Sequence, residues 1–218
     1  MYPGRFFLLI CLTLSVFAAG SVFAAGSVFP EEAEDAQTRL TRYLAELDSL
    51  EAGFEQQLRD ARGQRLQKST GSLRLLKPGR FYWETHHPFP EVLVSNGETL
   101  WLYDPDLEQV RVQNLDQRLA ATPALILSGD ARHLTEHFRI RLQTRGDLEI
   151  FRLTPLGSDS LFEEMTLHFH QGQLQSLHLE DSLGQHTRVD LVNPRFNQPL
   201  DAEVFEFSIP QEVDVIRE

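Results

Sequence analysis

The residues best suited to do chemistry are His133, Glu136 and His137, in the run His133-Leu134-Thr135-Glu136-His137. The H-x-x-E-H spacing places two imidazoles one helical turn apart with a glutamate beside them, which is the pattern of inverted zinc peptidases. The surrounding sequence predicts a helix of only about two turns, without a companion helix to supply a third carboxylate ligand. We therefore favour solvated histidines on a polar helix face, predict no metal and no cofactor, and keep a zinc metallopeptidase as an alternative.

The remaining histidines offer weaker chemistry. His168 and His170 share one face of a predicted strand, and His86 and His87 lie in a predicted turn, where surface or packing roles are commoner than metal ligation. The chain also lacks a nucleophile elbow, a phosphate-binding glycine loop and a cysteine-based site. The sequence therefore predicts that this protein is not an enzyme.

These side chains belong to a chain that is organised around a predicted β-hairpin. Asn96-Gly97 separates two apolar runs, Val92–Ser95 and Thr99–Tyr103. Asn-Gly is the strongest local signal for a two-residue type I′ turn, because both central residues of that turn need φ > 0. Such a turn predicts three cross-strand pairs: Ser95 with Glu98, Leu93 with Leu100, and Val92 with Trp101.

Both faces of this hairpin are apolar. One face is predicted to carry Leu93, Leu100 and Leu102, and the other Val92, Val94, Trp101 and Tyr103. A strand that is apolar on both sides must be covered on both sides. One cover is expected to be other protein, and the second a helix that moves away or a ligand.

The rest of the chain reads as an antiparallel meander interrupted by short helices. An amphipathic helix is predicted from Glu31 to about Leu50, two short helices between Asp116 and Phe138, and a capped helical turn near Leu200–Phe207. Alternating runs predict about eleven strands: 50–58, 66–75, 81–85, 92–95, 99–103, 108–112, 138–142, 148–154, 162–169, 174–180 and 187–192. The predicted fold is mainly β with α, a strongly curved sheet or unclosed barrel whose helices cover an apolar concavity.

The first 26 residues have the features of a secretory signal. Arg5 precedes an apolar stretch that is followed by small-residue cleavage sites, so we expect residues 1–26 to be removed and residues 27–218 to form a single domain. Cys11, the only cysteine, leaves with this segment. A chain with a formal net charge of −12 repels nucleic acids and anionic lipid surfaces, so we expect neither as a partner.

Four segments in the same order resemble one known family. They are Lys77 to Glu84 (KPGRFYWE), Leu93 to Pro105 (LVSNGETLWLYDP), Thr122 to Gly129 (TPALILSG) and the C-terminal run from Leu200 to Ile216. Together they are similar to the periplasmic outer-membrane lipoprotein carrier family, LolA, over essentially the whole mature chain.

The resemblance implies a fold and a function. Members have an unclosed β-barrel with an α-helical lid, reside in the periplasm and are expected to be monomers. They take triacylated lipoproteins from an inner-membrane ABC transporter, shield the acyl chains and pass the cargo to an outer-membrane acceptor lipoprotein. The alternative within the same class of function is a general periplasmic lipid-binding module.

The resemblance also implies the site residues. The lipid-binding surface is expected to comprise Phe81, Trp83, Leu93, Leu100 and Leu102 on the sheet with Leu125 and Leu127 on the lid. The family usually has an arginine, thought to bond lid carbonyls, where this chain has Lys77. Lysine lacks the planar fork of arginine, so we expect a weaker latch at Lys77, with Arg80 able to take part.

Overall fold

The alternating segments build one long curved sheet in the computed structural model of this chain. The structure describes residues 34–115, 123–129, 134–157, 160 and 162–217. The predicted signal segment, residues 1–26, lies outside this range, so its cleavage and the start of the domain at residue 27 stay predictions. Within the described range no helix is both long enough and apolar enough to cross a membrane.

Twelve strands are present in the described residues, and each of the eleven predicted strands is among them. Their bounds are β1 (Ser49–Arg59), β2 (Arg65–Leu76), β3 (Arg80–His87), β4 (Glu91–Asn96), β5 (Thr99–Asp104), β6 (Gln109–Asn114), β7 (Phe138–Arg145), β8 (Leu148–Pro155), β9 (Glu164–His170), β10 (Gln173–Glu180), β11 (His186–Phe196) and β12 (Asp214–Arg217). Across the sheet they follow the order β12-β6-β5-β4-β3-β2-β1-β11-β10-β9-β8-β7. All neighbours are antiparallel except β12, which runs parallel to β6. The prediction of an unclosed, curved, mainly antiparallel sheet is confirmed.

The first helix, α1 (Ala36–Ala45), is shorter than the sequence predicted. It starts where the Asp35 carboxylate accepts hydrogen bonds from the backbone N–H groups of Gln37 and Thr38, both at 2.9 Å. It ends before Leu50, because Ser49 and Leu50 already pair with β2. The helix prediction to Leu50 was wrong at this end, since apolar spacing alone does not distinguish a last helical turn from the first residues of a buried strand.

Two short helices follow β6, as predicted. They are α2 (Pro123–Ser128) and α3 (Leu134–His137). Pro123 occupies the first position of α2, where its missing N–H costs nothing. Near the C-terminus the predicted helical turn is a 3₁₀ turn over Ala202–Phe205, capped by Asp201.

The register predicted for the β4–β5 hairpin was wrong by two residues. Ser95 pairs with Leu100, Leu93 with Leu102 and Val92 with Tyr103. The connection is Gly97-Glu98, and Gly97 has a positive φ of 98° whereas Asn96 ends β4 and caps the turn by accepting from the N–H groups of Glu98 and Thr99. Because side chains alternate with a period of two, a slip of two residues leaves the predicted faces unchanged.

Both faces of the hairpin are covered, and by different parts of the chain. On the concave face, Leu100 of β5 packs in a cluster with Ala124 of α2. On the convex face, the ring of Phe207 lies 6.4 Å from that of Trp101 and 5.8 Å from that of Tyr103. The C-terminal segment therefore covers the outer face before β12 extends the sheet beyond β6.

The main core lies between the concave face and α1. Leu40 and Leu44 on one stripe of α1 are fully buried. They pack with side chains from β1, β2 and β8–β11 and with Ile126 and Leu127 of α2. The curvature of the sheet thus encloses an apolar interior that the helices close.

Candidate functional site

A small apolar cluster on the concave face joins the sheet to α2. Phe81 of β3, Leu100 of β5 and Ala124 of α2 are each less than 10% exposed and pack together. Leu93 and Leu115 lie against them, half-buried. Since β3 to β5 contribute to one side of this cluster and α2 to the other, displacing α2 would expose the apolar side chains of the sheet.

Trp83 links this cluster to the main core. It packs against both sets of buried side chains, and its ring lies 5.0 Å from the ring of Phe54 on β1. Gly71 of β2 makes room for that ring, because a Cβ there would stand 2.6 Å from Phe54 Cζ. The concave face is therefore a continuous apolar surface from β1 to β5.

The structure brings together most of the side chains that were predicted to bind lipid. Phe81, Leu100, Trp83 and Leu93 lie in or against the small cluster; Leu102, half-buried, shares their face; and Leu127 is buried in the main core. The side chain of Leu125 lies outside the described residues. Lipid binding by these residues stays a prediction.

Sequence reasoning missed Ala124 and Ile126, which provide buried apolar contacts from α2. Both occur in the run Ala124-Leu125-Ile126-Leu127, in which every residue is apolar. Such a run gives no periodic signal for which side faces the sheet. Contact with β3 and β5 therefore became visible only in the folded chain.

Two tight turns hold the end of α2. The backbone N–H of Gly79, between β2 and β3, donates to the carbonyl of Ser128 at 2.9 Å. The hydroxyl of Ser95 donates to the carbonyl of Gly79 at 2.9 Å and accepts from the N–H of Gly97 at 3.1 Å. Gly79 adopts a φ of +68°, and a Cβ there would stand 3.3 Å from the Cα of Gly97. Glycine at both turns lets them approach closely enough to form this connection.

Lys77 binds α1. Its ammonium donates to the carbonyl of Leu44 in the last turn of the helix, and its backbone N–H donates to the carbonyl of Asp48 at 3.0 Å. A cation at this position also complements the negative end of the helix dipole. Arg80 lies on β3 opposite Asn96. The proposed latch functions of Lys77 and Arg80 stay predictions.

Polar contacts also fasten α1 to β8. The carboxylate of Glu149, which is 8% exposed, accepts from Arg39 at 2.8 Å and from the hydroxyl of Tyr43 at 2.5 Å. The hydrogen bond to Glu149, followed by burial, raises the pKa of Tyr43. A buried carboxylate that loses these donors would be left desolvated. We therefore regard α1 as a fixed part of the domain.

The histidine motif is only partly described. Glu136 and His137 lie in α3, which has four residues, and His133 lies outside the described residues. Among the described side chains no group of three or more His, Cys, Asp or Glu residues is arranged to hold a metal ion.

His168 packs on the convex face against a histidine that the sequence analysis did not single out. Its ring lies 4.2 Å from that of His178 on the neighbouring strand. Burial, and then the neighbouring His168, lower the pKa of His178 to about 4. Packing is one of the two roles, surface or packing, that were expected of His168.

Comparison with known proteins identifies the fold family. The profile described as outer membrane lipoprotein carrier protein LolA matches residues 45–208. The chain belongs to the LolA family. This match includes β1 to β11, α2 and the C-terminal 3₁₀ turn, so the concave cluster and its cover lie within the LolA family region.

Relatives within the LolA family are similar over most of their length. A protein named outer-membrane lipoprotein carrier protein from Chromohalobacter salexigens is 46% identical over 180 residues, which is 83% of this chain and 86% of that protein. Proteins of the same name from Pseudomonas aeruginosa and Azotobacter vinelandii are 44% and 43% identical, covering 84% and 87% of this chain and 88% and 92% of their own lengths.

Solved structures include a LolA superfamily protein from Nitrosomonas europaea. It is 14% identical to this chain, with a TM-score of 0.48, and the similarity covers 80% of this chain and 99% of that protein. The sequence relatives, which are far more similar, are the ones that assign the chain to the LolA family.

Proposed function

We propose that this protein is a periplasmic carrier that shields the acyl chains of lipoproteins and delivers them to the outer membrane. Its cargo is expected to be triacylated lipoproteins released by an inner-membrane ABC transporter, and its receiver an acceptor lipoprotein in the outer membrane. Family membership supports this proposal, because the family and its relatives are named as lipoprotein carriers. No catalytic step is needed for such a task.

The physical need for a carrier is large. Exposing one 16-carbon chain to water costs about 12 kcal/mol at roughly 0.8 kcal/mol per methylene. A triacylated protein therefore does not cross an aqueous compartment at a useful rate without an apolar surface that replaces the membrane. The concave face of this sheet offers such a surface.

The main observation behind the proposal is that the short helix α2 covers this apolar surface. Phe81 and Leu100 are buried by Ala124 of a helix that is only six residues long. A helix of this length has little stability of its own and depends on its packing. Acyl chains that replace α2 on the sheet would bury the same side chains, so binding is an exchange of one apolar cover for another.

The contrast between α1 and α2 supports a lid that consists of α2. Arg39, Tyr43 and Lys77 tie α1 to the sheet through polar and ionic hydrogen bonds. The end of α2 is held by the backbone hydrogen bond from Gly79 to Ser128, but its contact with Phe81 and Leu100 is apolar and therefore tolerates an apolar substitute. Exchange also keeps the net affinity moderate, which permits release to the acceptor.

A disulfide across the cluster tests the exchange. Cys11 is expected to leave with the signal segment, so an introduced cysteine pair is the only one in the mature protein. We would make Ala124→Cys with Leu100→Cys, and Ala124→Cys with Phe81→Cys, since one pair should reach the Cα separation of 4.4–6.8 Å that disulfides typically have. The oxidised protein should not bind a synthetic tripalmitoylated peptide, whereas the reduced protein should bind it.

The matched control is a disulfide that fixes the C-terminal segment, which covers the convex face. Tyr103→Cys with Phe207→Cys joins the C-terminal segment to the convex face, and uptake should be the same in oxidised and reduced protein. A fully oxidised Ala124 pair that still binds the lipopeptide at the reduced protein's rate would contradict the exchange. Native mass spectrometry of protein isolated from its own periplasm then identifies the cargo, because bound free lipid instead of lipoprotein would favour the lipid-binding module.

A further inference from the structure

The hairpin connections at one end of the sheet share an apolar feature. At this end β1 is joined to β2, β3 to β4, β5 to β6, β8 to β9, and β10 to β11. Among the described residues, each of these five connections carries one exposed large apolar side chain, in the loop or within two residues of it. We call this end the apolar rim, and its side chains are Leu66, Phe89, Leu107, Leu156 and Leu183.

These five side chains are the most exposed large apolar residues in the described part of the chain. Their exposed fractions are 53% for Leu66, 64% for Phe89, 67% for Leu107, 55% for Leu156 and 74% for Leu183. The other exposed large apolar residues, Val192, Ile209 and Ile216, are each 40% exposed or less. Single exposed apolar residues are common on protein surfaces, but their concentration at one end of a sheet requires a separate explanation.

The opposite end of the same sheet lacks this feature. Its described connections are 77–79, 97–98, 146–147 and 171–172. They consist of glycine, proline and polar or charged residues, and none of the exposed large apolar residues named above lies there. The rim connections are also longer, with three to eight residues between strands against two or three at the opposite end.

The five hairpins follow one another along the curved edge. In order they carry Leu156, Leu183, Leu66, Phe89 and Leu107. The β10–β11 and β1–β2 connections are in contact, because a Cβ on Gly184 would lie 3.2 Å from Cβ of Ala61. With two strands per hairpin, successive apolar side chains are spaced by about 10 Å.

This spacing favours a lipid surface over a protein. A protein partner is usually bound through a contiguous patch with a buried apolar centre. Separate side chains on projecting turns match a bilayer interface, where each can enter the acyl region while the polar turn beside it remains among the headgroups. Among the described residues of the rim connections, the carboxylates of Asp60, Asp106, Glu108, Glu163 and Asp181 outnumber the single guanidinium of Arg62. This balance opposes anionic lipids and allows zwitterionic ones.

We propose that the apolar rim docks this protein reversibly on the surface of a zwitterionic lipid bilayer. The rim is formed by hairpin ends and not by the cluster beneath α2, so docking does not depend on the proposed acyl-chain exchange. Vesicles without lipoprotein are sufficient to test it. A carrier that fails to bind lipopeptide could still dock, and a carrier that exchanges lipopeptide could fail to dock.

Vesicle flotation provides the first measurement. Protein purified from a periplasmic extract, with intact mass used to verify that residues 1–26 are absent, is mixed with phosphatidylcholine–phosphatidylethanolamine vesicles. Replacing all five rim residues (Leu66→Thr, with Phe89, Leu107, Leu156 and Leu183 each to Ser) should lower the partition coefficient at least about tenfold, and a single change about twofold to fivefold. The matched control replaces Val192, Ile209 and Ile216 with Ser and should leave partition unchanged.

Salt and lipid charge provide a second criterion. Partition into zwitterionic vesicles should persist in high salt, because apolar insertion is not screened. Adding anionic phosphatidylglycerol should weaken it at low salt. Binding that instead requires anionic lipid and is lost in salt would overturn the proposal, since it would come from basic side chains such as Arg62 and not from apolar insertion.

Depth measurements then locate the contact. Phe89→Trp places an indole on the apolar rim, and Glu98→Trp places one at an exposed position on the opposite end. With brominated phosphatidylcholine, quenching above that of the unaltered protein should appear for Phe89→Trp and not for Glu98→Trp. Equal quenching at both positions, or no vesicle binding by the unaltered protein, would exclude bilayer docking, and the second result would leave an apolar protein partner as the occupant of the rim.

Discussion

The backbone N–H of Gly79 donates a hydrogen bond to the carbonyl of Ser128, 2.9 Å away. This bond connects the β2–β3 turn to the last residue of α2. The hydroxyl of Ser95 stabilises this turn by donating a hydrogen bond to the carbonyl of Gly79 at 2.9 Å. The end of the proposed lid is therefore held by backbone groups whose geometry depends on a buried serine.

A matched pair of serine substitutions tests this connection. Ser95→Ala should lower the free energy of unfolding by about 1–3 kcal/mol, because the carbonyl of Gly79 and the N–H of Gly97 lose a buried partner. Ser128→Ala should leave it unchanged or raise it by up to about 1 kcal/mol, because the buried hydroxyl of Ser128 has no hydrogen-bond partner among the described residues. Urea titration of both variants provides the comparison, and equal losses would contradict the assignment.

Lys77 is expected to stabilise the closed state indirectly, because it holds α1 in place and α1 packs in one cluster with Ile126 and Leu127 of α2. Lys77→Met keeps most of the length of the side chain but leaves the carbonyl of Leu44 without the ammonium, at a cost of about 1–3 kcal/mol. A dye that reports exposed apolar surface should bind this variant more strongly. Lys77→Arg should bind less dye than the unaltered protein, because guanidinium can hold two acceptors. Dye binding that stays the same or rises with arginine would exclude a latch at this position.

Phe81→Glu should displace α2 and impair uptake of the tripalmitoylated peptide by more than about tenfold, because an unpaired carboxylate in the apolar cluster costs several kcal/mol. Tyr82→Glu is the control, since Tyr82 is the adjacent residue on the opposite face of the strand. It lies near Arg74, whose guanidinium can pair with the new carboxylate. Circular dichroism verifies that both variants are folded. Normal uptake by folded Phe81→Glu would remove this residue from the site.

The histidine pair on the convex face predicts a loss of stability in mild acid. Because the pKa of His178 is lowered to about 4 in the folded protein, the unfolded chain binds a proton more readily between its ordinary value near 6.5 and pH 4. Stability is therefore complete above pH 6.5 and declines as the pH falls through this window. Since the side chain is only half-buried, the loss should be on the order of 1 kcal/mol.

His178→Gln should flatten this part of the pH profile, whereas His170→Gln, on an exposed side chain of the same sheet, should not. Thermal unfolding at pH 7.5, 6 and 4.5 measures the difference for each variant relative to the unaltered protein. An unchanged slope in His178→Gln would place the acid sensitivity in another group.

The sequence by itself determined the local elements and the family. Period-two alternation located eleven strands, and glycines and prolines located the turns between them. The faces of the β4–β5 hairpin also followed from the sequence, because alternation along a strand is a local property. Most of the predicted lipid-binding residues lie close together because they occupy the same face of adjacent strands.

Only the tertiary structure decided the features that depend on distant segments. It ended α1 at Ala45, shifted the hairpin register by two residues, and carried the C-terminal chain across the sheet to pair β12 with β6. It gave Lys77 a partner at Leu44, 33 residues away. It also gathered five apolar side chains from separate hairpins at one rim. Local pattern does not encode these pairings, because their free energy comes from contacts that exist only after the sheet has curved and closed on the helices.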